Sequence, residues 1–511
     1  ILDTYDLEGG DVIYLDTGSY STNADSRIIW SRSGNSSNDV VIQGNTNSPF
    51  ATVLTRAGSA PAIGIDVKAS YVQLRDMNVR GTDRAIRLET NRNVTVLSEA
   101  ATGLDVQAAQ GTEIRNSAFW KNAIGVNLVN TRTSILENLT FALPTLAGIQ
   151  MQNTVLDTLQ NNIFVPGEGA YAYSIGDAVS LLADATMDYN LYDFSSPASG
   201  FYAGATNYYS GPTNDPLRRW QVGKPQPDGF AGMDNDYRSA ITNADLVEIN
   251  FEPVDFHPLS ANGRWIANAT GGVWTTEDVV TSWAVDHGDP YQDYAQEPPD
   301  NGNRLNVGMY GNTVQASKGD TNAYLYARTM NEPDLTVQLS DPNWPWIWSA
   351  HMLGDSELVA VQFSGNNGAS WDTLAIVNAN QEYFNWQAAV TFATADGRWR
   401  IISMSNEDWA DINDNPFIVK IRDLGFVTSP RPSMGLMRLE WEGGLRGRRY
   451  EIRYSDDFGK TWNLWEPKYN GPAAINKSNF TLSSGQLSYV FEDRTSYLRR
   501  TRWYRIFQYE E

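Results

Sequence analysis

The residues of this chain that could do chemistry recur at one position of a repeated pattern. They lie 21, 18, 22 and 23 residues apart, and they are Asp66, Arg87, Asp105, Asn127 and Gln150. Carboxylates can hold a hard cation, and a basic side chain between two of them could remove a proton from a bound substrate. The alternative is a ladder of solvent-exposed charges in which each ion pair contributes little to the stability of the fold.

The pattern around these positions predicts the elements that hold them. Each polar residue stands between two apolar residues, which is the period of a strand with one buried face. Two further strands follow in each repeat, and the second of the three starts at Val72, Val94, Thr112, Ser134 and Asp157. Three short strands per coil of about 22 residues predict a right-handed parallel β-helix. One row of its core should then contain Ile86, Leu104, Val126 and Ile149.

An asparagine heads the third strand of three successive coils, at Asn116, Asn138 and Asn161, and a phenylalanine follows each of them three residues later. A short amide side chain tolerates a tight bend and bonds to nearby backbone groups. Stacked coils would therefore carry a ladder of asparagines along the solenoid. Ordinary turn asparagines in a β-sandwich are the alternative, which the recurrence of the phenylalanines disfavours.

Composition limits the class of protein and its partners. A chain of 511 residues predicts roughly two to four domains. The net charge of −22 makes nucleic acid and anionic membranes unfavourable partners. No apolar run approaches the length of a membrane-spanning helix. The chain has no cysteine and only three histidines, which excludes disulfides and leaves little material for histidine chemistry.

Changes in the strand pattern predict three domains. Residues 1–318 carry the coils, which loosen into loops from about 195 to 285. Longer alternating strands predict two β-sandwich modules of the immunoglobulin or fibronectin type, at 319–422 and 423–511. The first strand follows Ile1 closely, without a capping helix. Because a solenoid needs a cap on its first coil, we expect the N-terminal cap to be missing from this chain.

The segment that closes the coils is similar to segments of known proteins. It reads DFHPLS at 255–260, DHGDP at 286–290 and RLNVGMYGNT at 304–313, and the chain opens with GGDVIYLDTGSY at 9–20. These segments resemble the closing and opening coils of secreted bacterial right-handed parallel β-helix proteins, the choice-of-anchor type within the pectate-lyase-like superfamily. The resemblance covers residues 1–318 and implies the fold and an extracellular or cell-surface location. That group is functionally heterogeneous, so no particular reaction is implied.

In β-helix polysaccharide lyases of this superfamily, the substrate lies across a face like the one that bears the recurring polar residues. The resemblance therefore implies catalytic candidates at Asp66, Arg87 and Asp105, with the carboxylates binding calcium and the arginine acting as the base. It implies carbohydrate-binding candidates on the same face at Asn127, Gln150, Lys68 and Glu89. However, no lyase signature surrounds Arg87, and the paired-aspartate motifs of β-helix glycosidases are missing.

Two segments of the predicted sandwiches match a turn motif. SDDFGKTW at 455–462 is similar to the Asp-box, and SGNNGASW at 364–371 is a degenerate copy. In such a hairpin, Asp or Asn bonds to turn amides, Gly adopts a positive φ, and Trp packs beneath the turn. The motif predicts a structural hairpin and says almost nothing about catalysis.

The segment DINDNP at 411–416 resembles the calcium-binding linker of cadherins. Its clustered oxygen ligands, Asp411, Asn413 and Asp414, suit a hard cation such as calcium. A polar loop before the last strand of the sandwich is the alternative.

Together these features favour a non-catalytic extracellular protein with a surface, matrix or adhesion role. We expect it to bind a polysaccharide or copies of itself, to bind no nucleic acid and to insert into no membrane. The alternative is a polysaccharide lyase or glycoside hydrolase that acts along the β-helix face and binds substrate with its sandwiches. Calcium is the cofactor that the sequence suggests.

Overall fold

A computed structural model describes the chain at residues 5–22, 28–35, 37–45, 52–56, 63–69, 72–75, 77–80, 84–89, 94–95, 102–109, 112–132, 134–176, 185–203, 206–209, 236–251, 254–266, 272–338, 344–388, 394–420, 425–426, 431–433, 436–442, 449–464, 479–481, 488–493 and 502–509. These residues form an all-β protein, in which a short 3-10 helix spans Ala379–Gln381. Within them, no helix combines the length and the apolar character needed to cross a bilayer. The chain divides into two compact units, Ile1–Ala323 and Tyr324–Glu511.

The first unit is built from short strands. They are β1 Val12–Tyr14, β2 Gly18–Thr22, β3 Ile28–Trp30, β4 Val40–Gln43, β5 Thr52–Arg56, β6 Ile63–Val67, β7 Val72–Arg75, β8 Asn78–Arg80, β9 Arg84–Glu89, β10 Val94–Thr95, β11 Thr102–Gln107, β12 Glu113–Trp120, β13 Ile124–Val129, β14 Ser134–Ala142, β15 Ala147–Gln152, β16 Leu156–Gln160, β17 Ile163–Val165, β18 Tyr171–Ile175, β19 Thr186–Asp188, β20 Leu191–Tyr192, β21 Gly200–Ala203, β22 Thr206–Tyr209, β23 Ala240–Ile241, β24 Leu246–Glu248, β25 Asp255–Pro258, β26 Arg264–Ile266 and β27 Val273–Thr275.

Strands of successive coils pair in parallel. The first sheet has the order β3-β6-β9-β11-β13-β15-β18-β21, and β22 ends it by antiparallel pairing with β21. Leu104 pairs with Ile86 on one side and with Val126 on the other. Val126 pairs in turn with Ile149, and all four side chains are buried. The predicted core row is confirmed, and with it the stacking of coils into a parallel β-helix.

Two smaller parallel sheets, β1-β4-β7-β10 and β2-β5-β8, form the other sides of the first coils. In the later coils, a single sheet forms both of these sides. Its strands β12 and β14 are long, and each includes both the second and the third strand of its coil. These two strands bend at Asn116 and Asn138, whose φ angles are 46° and 54°. Asparagine is one of the few residues that adopt this left-handed conformation readily, so the predicted tight bend is confirmed.

A stack of aromatic rings fills the core of the later coils. Phe141 lies between Phe119 and Phe164, at centroid distances of 5.1 and 4.8 Å. The first sheet approaches this stack through glycine, since a Cβ atom on Gly125 would lie 2.6 Å from the ring of Phe141. The phenylalanines that marked the repeat in the sequence therefore join one coil to the next.

The predicted asparagine ladder is displaced by one residue. Asn162 donates a hydrogen bond from Nδ2 to Oδ1 of Asn190 in the next coil, at 3.0 Å, and both side chains are buried. The preceding residue, Asn161, has a φ of 58° and donates instead to Oε1 of Gln292, at 3.0 Å. The left-handed residue directs its own side chain out of the solenoid, and the following residue points inward.

Residues 244–318 are here called the closing segment, and its described residues, 244–251, 254–266 and 272–318, pack against the outer face of the third strands. Ala118 and Ala142 share a buried cluster with Phe256, Met309 and Tyr310. A second cluster joins Ile163, Val165, Leu191 and Ala240 to Ala244, Ala284 and Val307. Strands that are covered on both faces have apolar residues at successive positions, which explains why these third strands do not alternate.

The second unit is also built from strands. They are β28 Tyr324–Ala327, β29 Thr336–Gln338, β30 Trp344–His351, β31 Leu358–Ser364, β32 Asp372–Asn378, β33 Tyr383–Trp386, β34 Thr394–Ser403, β35 Ala410–Ile412, β36 Phe417–Lys420, β37 Gly425–Phe426, β38 Arg431–Ser433, β39 Leu436–Glu442, β40 Arg449–Ser455, β41 Asn463–Leu464, β42 Asn479–Thr481, β43 Ser488–Asp493 and β44 Trp503–Tyr509.

The described residues of the second unit form four sheets. Two of them, β28-β30-β33 and β29-β36-β34-β31-β32, share an aromatic core in which Trp346 stacks on Trp399 of the other sheet at 5.2 Å. The other two sheets, β37-β39-β38 and β41-β40-β42, are formed by the strands after β36. In them, β43 pairs with β39 and β44 pairs with β40. Tyr324–Glu511 is one compact unit. The predicted division of this part of the chain into two separate sandwich modules is therefore not confirmed.

Candidate functional site

The recurring polar residues form one row on the first sheet. Arg87 of β9 pairs with Asp66 on one side and with Asp105 on the other. Asn127 follows Asp105, and Gln150 follows Asn127. The row continues beyond the predicted residues to Ser174 and Tyr202. Strands lie about 4.8 Å apart, so the row offers one polar side chain at each such step.

The two carboxylates of this row are not open to solvent. Asp66 is 0% exposed and Asp105 is 1% exposed. Asp105 accepts hydrogen bonds from Nδ2 of Asn127 at 2.8 Å and from Nε2 of Gln107 at 3.1 Å. The ammonium group of Lys68 lies 3.9 Å from Asp66. Both carboxylates thus lie against neighbouring polar side chains, and their predicted roles at a substrate or a calcium ion stay predictions.

The neutral polar residues of the row remain partly accessible to solvent. Asn127, Gln150, Ser174 and Tyr202 are half-buried, and the ring of Tyr171 lies 5.5 Å from that of Tyr202. The side chains of Arg87 and Glu89 lie outside the described residues, so their predicted roles stay predictions. Among the side chains that the structure describes, the accessible part of the row therefore consists of neutral hydrogen-bonding groups and the ring of Tyr202, beside that of Tyr171. These groups suit sugar hydroxyls better than acid–base chemistry.

The predicted calcium loop is held by hydrogen bonds within the second unit. Oδ1 of Asn413 accepts from the backbone N–H of Trp399 at 2.8 Å, and Oδ2 of Asp411 accepts from that of Ala327 at 2.8 Å. Asp414 is exposed. Among the described residues, no group of three or more His, Cys, Asp or Glu side chains is arranged to hold a metal ion. Calcium binding at this loop stays a prediction.

A second polar row, on the neighbouring side of the later coils, was missed in the sequence. Arg115 pairs with Glu137, Glu137 with Gln160, and Gln160 with Asp188. Burial raises the pKa of the Glu137 carboxyl, although the adjacent Arg115 partly offsets this effect. A carboxyl group with a raised pKa is a candidate general acid.

The closing segment covers this second row. Nε2 of Gln292 donates to Glu137 and to Gln160, at 3.2 Å in both cases. Arg238, which precedes the closing segment, also binds this row: its backbone N–H and its guanidinium donate to Asp188, at 2.6 and 2.7 Å. These contacts give the row a structural role. Its sequence signal is the polar residue that follows each inward apolar residue of the second strand, as Glu137 follows Leu136.

One histidine belongs to a compact buried cluster of the closing segment. Nδ1 of His257 lies 2.6 Å from Oδ1 of Asp255, and its ring stacks on Tyr310 at 3.6 Å. Nε2 of His257 is buried and has no hydrogen-bond partner among the residues that the structure describes. Since that nitrogen does not reach solvent, the pair is arranged for packing and not for proton transfer to a substrate.

Comparisons with known proteins add little to these contacts. No family model and no curated protein match the chain. Similar solved structures include a mutant of the PL6 family alginate lyase AlyGC, with 10% identity, a TM-score of 0.23, and coverage of 39% of this chain and 33% of that one. They also include a mannuronic acid specific polysaccharide family 6 lyase from human gut microbiota, with 15% identity, a TM-score of 0.19, and coverage of 39% and 73%.

A third similar structure is Geobacillus virus E2 ORF18, with 12% identity, a TM-score of 0.16, and coverage of 38% of this chain and 50% of that one. This chain thus spans a third of the AlyGC mutant structure and half of the Geobacillus virus structure. Such low scores carry no argument about activity, and the β-helix assignment rests on the strand register described above.

Proposed function

We propose that this protein is a non-catalytic extracellular surface or matrix component that binds a polysaccharide along its first sheet. The observation that carries the proposal is the accessible row of neutral side chains, Asn127, Gln150, Ser174 and Tyr202, on successive strands. Amide and hydroxyl groups both donate and accept hydrogen bonds, as sugar hydroxyls do. The burial of Asp66 and Asp105 supports binding over cleavage, since a lyase needs its charged groups at the substrate.

Binding is tested with immobilised alginate, xylan and β-glucan. We expect the wild-type protein to bind at least one of them and Gln150→Ala to weaken that binding about fivefold, the worth of one lost hydrogen bond. Gln296→Ala, which truncates an exposed glutamine of the closing segment, is the matched control. Equal binding by wild type and Gln150→Ala would argue against the row.

The alternative, a lyase acting on the same face, is separated by following the unsaturated ends that β-elimination releases. We expect no such product from any of the three polysaccharides. Product that accumulates with the wild-type protein and is lost in Arg87→Ala would establish the lyase and reject the non-catalytic role.

We also propose that copies of this chain associate through exposed solenoid ends and sheet edges, which offer unpaired backbone groups. Light scattering at increasing protein concentration tests this. A mass that stays monomeric at the highest concentration would count against it.

A further inference from the structure

The two turn motifs of the second unit share one backbone geometry, and two of the differences around them change what the turn exposes. In each, the serine hydroxyl accepts the glycine N–H at 2.8 Å, for Gly368 and for Gly459. In each, the Asn or Asp oxygen accepts a turn amide, at 3.0 Å for Asn366 and 2.9 Å for Asp457. The glycines have φ angles of 86° and 84°. The predicted turn geometry is therefore observed twice, and the two turns can be compared residue by residue.

The first difference lies directly before the glycine. Both residues there have a left-handed backbone, with φ angles of 53° at Asn367 and 61° at Phe458. Asparagine adopts this conformation readily, whereas a bulky aromatic residue is strained in it. The second turn thus carries a strained residue where the first carries a favoured one.

The second difference lies on the strand opposite the motif serine. Arg398 pairs with Ser364, and its Nε donates to Oδ1 of Asn367 at 2.9 Å. Trp503 pairs with Ser455 in the same way, and its ring lies 6.5 Å from that of Phe458, at an angle of 68°. A polar pair in one turn is therefore replaced by an aromatic pair in the other.

Folding does not account for this aromatic pair. Phe458 is 70% exposed and Trp503 is 50% exposed. The strained phenylalanine therefore gains little burial in return for its backbone conformation. Strain of this kind, kept at an exposed position, is typical of sites that meet a ligand.

We propose that Phe458 and Trp503 form a carbohydrate-binding platform on the second unit. The apolar C–H face of a pyranose ring fits against an exposed aromatic ring. The exposed Lys460 follows in the turn and the exposed Asn463 begins β41, and both carry polar groups that can meet the sugar hydroxyls. A stable protein partner needs about 800 Å² from each side, far more than two half-exposed rings supply. This site is separate from the row on the first sheet and does not depend on it.

The variants Phe458→Asn and Trp503→Ala test the platform in full-length protein, by affinity electrophoresis in gels containing alginate, xylan or β-glucan. We expect each variant to lose about tenfold in affinity for at least one polysaccharide, the worth of one aromatic contact. Phe251→Asn, at a phenylalanine of the first unit that is 74% exposed, is the matched control and should bind as wild type. Gln150→Ala is measured in parallel, so that a loss of binding at the row on the first sheet is distinguished from a loss of binding at the platform.

Stability provides the second readout. Because asparagine relieves the left-handed strain, Phe458→Asn should raise the melting temperature of the second unit by about 2–4 °C. A lower melting temperature would mean that the ring supports folding, and would overturn the proposal. Unchanged binding in both variants, or no retardation of the wild type by any of the three polysaccharides, would also overturn it. A variant that loses a dimer but still binds polysaccharide would also overturn the proposal, because the rings would then contact a second copy of the chain.

Discussion

Single residues determine how closely the coils of the first unit can pack. Gly103, Gly125 and Gly148 repeat along the first sheet, each opposite one ring of the phenylalanine stack. Any side chain at these positions would meet both a ring and the backbone oxygen of the next coil. The glycines are therefore needed for space and not for an unusual backbone angle.

Gly125→Ala should destabilise the first unit by about 1–3 kcal/mol, the usual cost of overpacking a well-filled core. The new Cβ would lie 2.6 Å from both the Phe141 ring and the oxygen of Gly148. Urea unfolding measures the change. Gly176→Ala is the control, since among the described residues its Cβ would meet nothing closer than 3.8 Å. An equal loss in both variants would reject the packing explanation.

A second residue-scale feature is Glu297, whose Oε1 accepts the backbone N–H groups of Asn306 and Asn312, both at 2.8 Å. Burial raises the pKa of this carboxyl from 4.5 to about 8, and the nearby Asp286 adds to the effect. The folded state thus holds a proton that the unfolded chain releases near pH 4.5. This contribution to stability is complete below that pH and is lost as the pH rises through about 8.

We therefore expect the free energy of unfolding of the first unit to fall between pH 4.5 and 8, by up to ~1.4 kcal/mol per pH unit from this group. Glu297→Gln should flatten that part of the profile, because glutamine stays neutral. Glu277→Gln, at an exposed glutamate, should leave the slope unchanged. Identical profiles for wild type and Glu297→Gln would show that this carboxyl is ionised throughout.

Among the elements, the closing segment is the one whose role the repeat pattern did not reveal. Nδ2 of Asn116 donates to the carbonyl oxygens of Met309 and Gly311, at 3.0 and 2.7 Å. The sequence pattern predicted a bend at this asparagine. However, a local pattern of residues does not show what a side chain that points out of the solenoid will contact. The partner lies almost two hundred residues away in the chain, so only the folded chain brings the two together.

Asn116→Gly tests that contact at the scale of the element. Glycine keeps the left-handed backbone and removes the amide, so the variant should lose about 1–2 kcal/mol from two hydrogen bonds. Hydrogen exchange should then speed up at residues 306–312. Asn303→Gly, at an exposed asparagine with a φ of 55°, is the control, and equal exchange in both variants would mean that apolar packing alone holds the segment.

At the scale of the whole molecule, the charge of −22 sets which polymers can approach. Like charges repel over roughly 10 Å at 0.1 M salt, and added salt shortens that range. A polysaccharide bound by the neutral row and by aromatic rings should therefore be favoured when it carries no charge itself.

Binding to β-glucan should be insensitive to sodium chloride, whereas any binding to alginate should strengthen as salt screens the repulsion. Calorimetric titrations at several salt concentrations measure both. Alginate binding that weakens with salt would instead point to a basic contact on the protein, for which Arg87 is the first residue to replace.

The sequence alone determined the coils, the row Ile86 to Ile149 and the order of the polar positions beside it. This was possible because a strand's alternation is local and a solenoid repeats it against its nearest neighbours. Only the tertiary structure decided that Asp66 and Asp105 are buried, that the second polar row is covered, and that third strands are apolar on both faces. Burial depends on which distant segment arrives at a surface, and no local period records that.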